Sequence, residues 1–287
     1  MDPIFLAEAA INGILLGGIL ALLALGLNLI FGVIDIVWIA YVDLVMVCMY
    51  AVYFLVQVHG WPFWLGGLAA VALGAVLGLG VHGLIISPIL DSAPVNQLLA
   101  TGGLLFFLQS FATFLWTTDH KSVRVSLPSW DVGGIFIPAT RLIPFVISIL
   151  ALVALYLFLT RTYIGTAIRA VSQDREATAL MGASPQRIYF VTSAVGGLMA
   201  GLAGALLIVQ YSVHPFFGGQ FGPLTFMICV LGGLGNMVGA FVASFIMSEI
   251  IAVSGVLWST EMGYVIAFVV FIVMIFARPG GILARRP

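Results

Sequence analysis

Residues 7–31 read AEAAINGILLGGILALLALGLNLIF, a run whose one charge is Glu8. Roughly 20 apolar residues in a helix suffice to cross the hydrocarbon of a bilayer. This run is longer than that and continuously apolar, not alternating, so it reads as a membrane helix and not as a strand of a barrel. Working outward from it, the same pattern returns between turn-forming residues at about 36–56, 62–86, 95–117, 143–160, 188–210 and 261–277. Residues 220–253 are apolar as well, but the cluster Gly232-Gly233-Leu234-Gly235-Asn236 interrupts them.

The composition agrees. Of 287 residues 62% are hydrophobic and 7% charged, against about 25% charged in soluble domains. The backbone of such a chain must satisfy its own hydrogen bonds in lipid. The expected fold is therefore all-α: a polytopic membrane bundle of about 8–10 transmembrane segments, one domain over 1–287. No separate soluble catalytic or nucleotide-binding domain fits. A net charge of −1 gives no sign of nucleic acid as a partner. Cys48 and Cys229 lie inside apolar runs, so no disulfide framework is expected. The start of the chain lacks the basic region and cleavage pattern of a signal peptide.

All ten Lys and Arg fall in three places. Lys121, Arg124 and Arg141 precede the 143–160 span. Arg161, Arg169, Arg175 and Arg187 follow it, and Arg278, Arg285 and Arg286 lie at the end. The first two groups must face opposite sides, and the larger one, 161–187, is expected in the cytoplasm together with the last. An even number of crossings must then separate 187 from 278. Two crossings within 220–253, turning at the glycine cluster, satisfy that parity and give about nine in all.

Glycines recur at small-xxx-small spacing, as Gly13/Gly17, Gly74/Gly78, Gly197/Gly201 and Gly235/Gly239. Such faces let helix backbones approach closely. The segment 161–187 is the one long amphiphilic stretch outside the spans. Ala177, Leu180 and Met181, at i, i+3 and i+4, give a short helix an apolar face. Asp174 and Glu176 suit its first turn, Gly182 suits its end, and Ser184-Pro185 reads as the cap and first residue of the next span.

This segment, GTAIRAVSQDREATALMGAS (165–184), resembles the cytoplasmic coupling loop of the branched-chain amino acid ABC transporter permease family. LALGLNLIFGVI (23–34), LLATGGLLFFLQS (98–110), VHPFFGG (213–219), VLGGLGNMVGAFVAS (230–244) and RPGGIL (278–283) are similar to family motifs in the same order. The length favours the H-type over the M-type permease. The resemblance implies a subunit that works with a second permease, two cytoplasmic ATPases and a periplasmic substrate-binding protein, in a bacterial inner membrane and against its lipid. It implies ATPase coupling through Gly165, Arg169, Ala170, Gln173, Asp174, Ala177, Leu180, Met181 and Gly182. The chain has no G-x-x-x-x-G-K-[ST] phosphate loop, so no cofactor is expected on it, and ATP and Mg would belong to the ATPase. The chain is thus expected not to be an enzyme.

Two departures bear on substrate. Where relatives carry Asn-x-Ala-His-Gly, this chain has Trp38-Ile39-Ala40-Tyr41-Val42 followed by Asp43, and a basic motif gives way to Ser87-Pro88-Ile89-Leu90. Asp43 is the one charge in its span, and an acid there is costly unless paired or neutralised. Asn28, Trp38, Tyr41, Asp43, Gln109 and Asn236 are therefore the candidate pathway residues, with hydrogen bonding between helices as the plainer role of the amides. His59, His82, His120 and His214 are too far apart in sequence to suggest a metal site. Branched-chain amino acids are the expected solutes. Urea, amides or aromatic acids are the alternative within the same class; a secondary transporter or channel would be a different class.

Overall fold

The computed structural model describes residues 3–123, 125, 129–132, 135–278 and 280–282. Arg124, Arg285 and Arg286 of the basic census therefore lie outside the described residues, as do Pro279 and Leu283 of the last motif.

The chain is a helical bundle. Helix α1 (Pro3–Ile34) is followed by α2 (Tyr41–Tyr53), which runs on through a π turn, Phe54–Val58. Next comes α3 (Phe63–Val81), continued through a second π turn, His82–Ile86, into α4 (Ser87–Ile89). After α5 (Pro94–Trp116) a short antiparallel hairpin, β1 (Ser129–Val132) with β2 (Ile135–Pro138), leads into α6 (Ala139–Arg161). Two short helices, α7 (Tyr163–Gln173) and α8 (Arg175–Leu180), precede α9 (Pro185–Leu207), α10 (Phe217–Gly232), α11 (Met237–Leu257) and α12 (Thr260–Ala277). The hairpin is the one sheet among the described residues, and the all-helical reading lacked it. It lies between spans, where backbone groups need no lipid-proof partner.

Among the described residues eight helices are long and apolar enough to cross a membrane. Helix α10 has 16 residues, about 24 Å at 1.5 Å per residue, which is short for a hydrocarbon core of about 30 Å. Its ends nevertheless meet opposite faces. At its start, His214 and Val213 touch the segment after α5, where Lys121 and Val213 exchange backbone hydrogen bonds. At its end, Gly233 and Leu231 meet the C-terminal end of α1 and residues 281–282. The broken region is thus two antiparallel helices, and α10 makes a ninth traverse among the described residues. Arg141 donates to Asn12 at 2.6 Å, which puts the start of α1 on the hairpin face, while Arg278 ends on the face of α7 and α8. An odd number of traverses follows.

Helix α1 is the centre, buried along most of its length and packed by α11, α9, α6 and α10. Helices α5, α6 and α12 form the rim and present most of their apolar side chains outward. The tightest seam joins α3 to α9. There the two glycine pairs found separately in the sequence face each other: a methyl at Gly74 would strike the carbonyl of Gly197, and one at Gly78 the carbonyl of Ser193. Only residues without a side chain allow that approach.

Candidate functional site

Three of the six sequence motifs meet in one knot at the C-terminal end of α1. Asn28 accepts from the Gly235 amide at 2.7 Å and donates to the carbonyls of Asn236 at 3.0 Å and Gly233 at 3.4 Å. Gly233 and Gly235 have φ of +97° and +80°, a region that glycine enters without cost. Gly32 packs against Gly235, Gly281 against Gly233, and the Ile282 amide donates to Leu231 at 2.8 Å. Asn236 caps α11 by accepting from Gly239 at 3.1 Å. Asn28 and Asn236 thus stand together and brace the turn between α10 and α11.

A second group lies deeper, between α2, α5 and α10. Asp43, 1% exposed, stands in the first turn of α2. Its Oδ1 accepts from Gln109 Nε2 at 3.0 Å, and its Oδ2 has no hydrogen-bond partner among the described residues. Gly218 of the VHPFFGG motif lies so close that a methyl there would collide with the carboxylate. Two turns further along α2, Tyr50 stacks on Trp116 with centroids 4.1 Å apart, and its buried hydroxyl also lacks a partner among those residues.

Trp38 and Tyr41 belong to neither group. They pack edge to face at 6.0 Å, and the Tyr41 hydroxyl donates to the Gly196 carbonyl at 3.1 Å while filling the space over Gly26. That places Tyr41 in the seam of α1, α2 and α9. The six candidate pathway residues are therefore one asparagine pair, one acid–amide pair and one aromatic pair.

The 161–187 segment folds as two helices where sequence reading found one. Thr162 caps α7, its Oγ1 accepting from Gly165 at 3.0 Å. Gly165 is pressed against the backbone of Phe158 and Leu159, which makes the elbow between α6 and α7. Gly165, Ile168 and Val171 are buried, an i, i+3, i+6 pattern that was available in the sequence. Asp174 caps α8, accepting from Ala177 at 2.9 Å, and Gly182 ends it with φ +88°. Ser184 precedes Pro185 as expected, but its hydroxyl makes no cap bond to α9. Leu180 and Met181 stand 89% and 88% exposed.

Arg175 sits 3.8 Å from Asp91 in the turn after α4. The Tyr189 phenol oxygen, accepting from the guanidinium, and the nearby Asp91 hold its pKa above the ordinary value. Both carboxylate and guanidinium are largely exposed, so the ion pair contributes little by itself. A cleft of about 1110 Å³ opens on this face, between the end of α1, α7 and the glycine turn. Asn28 and Asn236 line it on one side, Arg169 and Gln173 on the other, so candidate pathway and candidate coupling residues share one opening.

On the hairpin face His120 and His214 meet, their ring centroids 4.6 Å apart. Sequence separation concealed this. Burial first, then His120, lowers the pKa of His214 from its ordinary 6.5. Among the described residues no three His, Cys, Asp or Glu converge as metal ligands would. Cys48 and Cys229 are buried and free.

The profile of the family described as branched-chain amino acid transport system / permease component matches residues 9–275. The high-affinity branched-chain amino acid transport system permease protein LivH of Escherichia coli strain K12 is 27% identical, covering 98% of this chain and 96% of its own length. BraD of Pseudomonas aeruginosa, with the same description, is 26% identical over 97% and 95%. LivM of Escherichia coli strain K12 is 26% identical, but only 63% of its length is covered. This asymmetry agrees with the H-type reading. No solved structure matches the chain. A helical bundle whose separated motifs close into a glycine knot, a buried acid–amide pair and a capped elbow is what that match spans, and the chain belongs to the family of branched-chain amino acid transport permease components.

Proposed function

We propose that this integral, multi-pass membrane protein is the H-type permease of an ABC importer, one membrane domain that passes branched-chain amino acids across a bacterial inner membrane. A second permease completes the pathway, a periplasmic binding protein delivers the solute, and two cytoplasmic ATPases bind ATP and Mg and drive the cycle. The face of α7 and α8 is the cytoplasmic one in this reading.

The observation that carries it is the tip of α8. Leu180 and Met181 are almost fully exposed on a helix of six residues, far too short to be stable alone in water. Caps at both ends hold it in place, and it is tied to α9 and the α4–α5 turn through Arg175. Seating in a groove of a partner would bury about 1.5–3 kcal/mol of apolar side chain per large residue. Because α8 ends at Leu180, just before Gly182, and α9 begins at Pro185, displacement of the tip is passed to a span.

The test is to co-express the chain with its permease and ATPase partners, isolate the complex and measure leucine uptake in proteoliposomes. The wild-type complex should carry the ATPase and take up leucine. The double variant Leu180→Asp/Gly182→Asp should insert normally but lose both ATPase association and uptake. A double variant that assembled and transported at the normal rate would remove the coupling assignment.

A further inference from the structure

We infer that Asp43, set by Gln109 and followed outward by Tyr50, is an intramembrane station for the protonated amino group of the transported solute. The inference rests on the amino-acid reading given above and assigns it a recognition residue.

The carboxylate is half satisfied. Gln109 occupies Oδ1 at 3.0 Å, and Oδ2, although buried, has no hydrogen-bond partner among the described residues. The one ion pair among those residues is Arg175 with Asp91, on the far face, so none of the described residues pairs Asp43 with a cation. A buried acid without a partner is costly in lipid. An ammonium group arriving at Oδ2 supplies the missing charge and donors together, and a charge-assisted hydrogen bond is the strong kind.

The route outward from Asp43 suits the same group. Tyr50 lies seven residues along α2, hence on the same helical face, and its hydroxyl is also buried without a partner among the described residues. Beyond it Tyr50, Phe54 and Trp116 form an aromatic cluster, with centroids 4.1 Å apart for Tyr50–Trp116 and 5.5 Å for Phe54–Trp116. Aromatic faces attract cations. The chain's own Lys121 demonstrates it here, with its ammonium 5.3 Å from the Phe54 centroid and 5.7 Å from that of Tyr53. Ammonium binding at the mouth and an unpaired carboxylate below it point to one ligand chemistry.

In this conformation the station is shut. Gly218 in the first turn of α10 closes over the carboxylate with no room for a methyl, so α10 must move for a solute to enter. Pro223, inside α10 one turn further on, removes a backbone hydrogen bond there and marks where the first turn can swing. The ligand class is a small solute with a protonated amine, an α-amino acid among them. Urea, carboxamides and sugars, which carry no ammonium, fall outside it.

The test compares Asp43→Asn with Asp43→Glu in the reconstituted complex of both permeases, ATPase and binding protein. Asn is isosteric and still accepts from Gln109, so it preserves the hydrogen bond and removes the charge. Glu keeps the charge and disturbs the fit. Uptake of leucine should fall at least tenfold in Asp43→Asn and be partly restored, to within about fivefold of wild type, in Asp43→Glu. Gln109→Leu, which breaks the same hydrogen bond but leaves the carboxylate, should cost less than Asp43→Asn. Size-exclusion profiles establish that each variant complex assembles. The opposite order, with Asp43→Asn near wild type and Asp43→Glu impaired, would make Asp43 a hydrogen-bonding brace and overturn the station. The wild-type complex is first offered leucine, isoleucine, valine, a mixture of the other amino acids, urea and acetamide. If it takes an amino acid outside the branched-chain three and none of those, the branched-chain reading fails, and the order of the variants with that solute decides the station. If it takes only urea or acetamide, both the amino-acid reading and the ammonium station fall.

Discussion

Leu180 on α8 and Phe114 on α5 are almost equally bare, 89% and 84% exposed, yet they pose opposite problems. Phe114 sits with Phe107 and Phe111 on an apolar span at the rim, where lipid is the solvent and an exposed ring costs nothing. Leu180 projects from a helix that begins Arg175-Glu176 and follows Asp174, beyond the end of any span, where water is the solvent unless a protein covers it. Exposure alone therefore says little in a membrane protein. Exposure on a polar element is what supports the docking role proposed for the α8 tip.

Exchanging polarity at the two positions sharpens this contrast most. Leu180→Asp should lower uptake by more than tenfold with no change in the thermal unfolding midpoint of the isolated subunit. Phe114→Asp should do the reverse, impairing membrane insertion, by less than the about 2.5–3.5 kcal/mol of a charge at a helix centre because position 114 lies near the end of α5, and reducing yield, while the molecules that do insert keep their ATPase. Equal losses of yield in both would erase the distinction.

Smaller effects separate buried braces from exposed caps. Asn28→Ala strands polar groups of the glycine turn inside the bundle and should cost about 1–3 kcal/mol, read as a lowered unfolding midpoint in detergent. Asp174→Ala removes only the α8 cap, about 1 kcal/mol, and should appear as faster amide exchange confined to Ala177 and its neighbours. The smallest effect is that of pH. Because burial and His120 lower the pKa of His214 below its ordinary 6.5, the folded state disfavours that proton relative to the unfolded chain. The contribution is intact above about 6.5 and is lost as pH falls through the lowered value. Unfolding midpoints should drop across that window in the wild type and less in His214→Phe.

Helix α8 was readable because its determinants are local. The Asp174 cap and the Gly182 terminator act within eight residues of each other, and the apolar triad Ala177, Leu180 and Met181 needs no partner to be seen. Even there α7 was missed, since Thr162 and the Gly165/Ile168/Val171 spacing are weaker signals than a charged cap. The buried groups were only half readable. Asp43 announced itself as a lone charge in an apolar run, but its partner Gln109 is 66 positions away, and Gly218 looked like one more small residue. Likewise the Gly74/Gly78 and Gly197/Gly201 pairs were visible as small faces, while the fact that each is the other's counterpart depends on how α3 and α9 pack. The short α10 was recoverable only through charge parity, because its 16 residues alone do not span a bilayer.

The most direct measurement of whether the α8 tip is a docking element is photo-crosslinking from a benzophenone side chain placed at position 180, with position 114 as the comparison. In the assembled transporter, irradiation should join position 180 to the ATPase subunit in high yield, and the adduct should vanish when the ATPase is stripped away. Position 114 should yield lipid or permease adducts and no ATPase adduct. If position 180 gave no ATPase adduct in a complex that hydrolyses ATP and takes up leucine, the tip of α8 would be a solvated turn, and the coupling account built on it would be wrong.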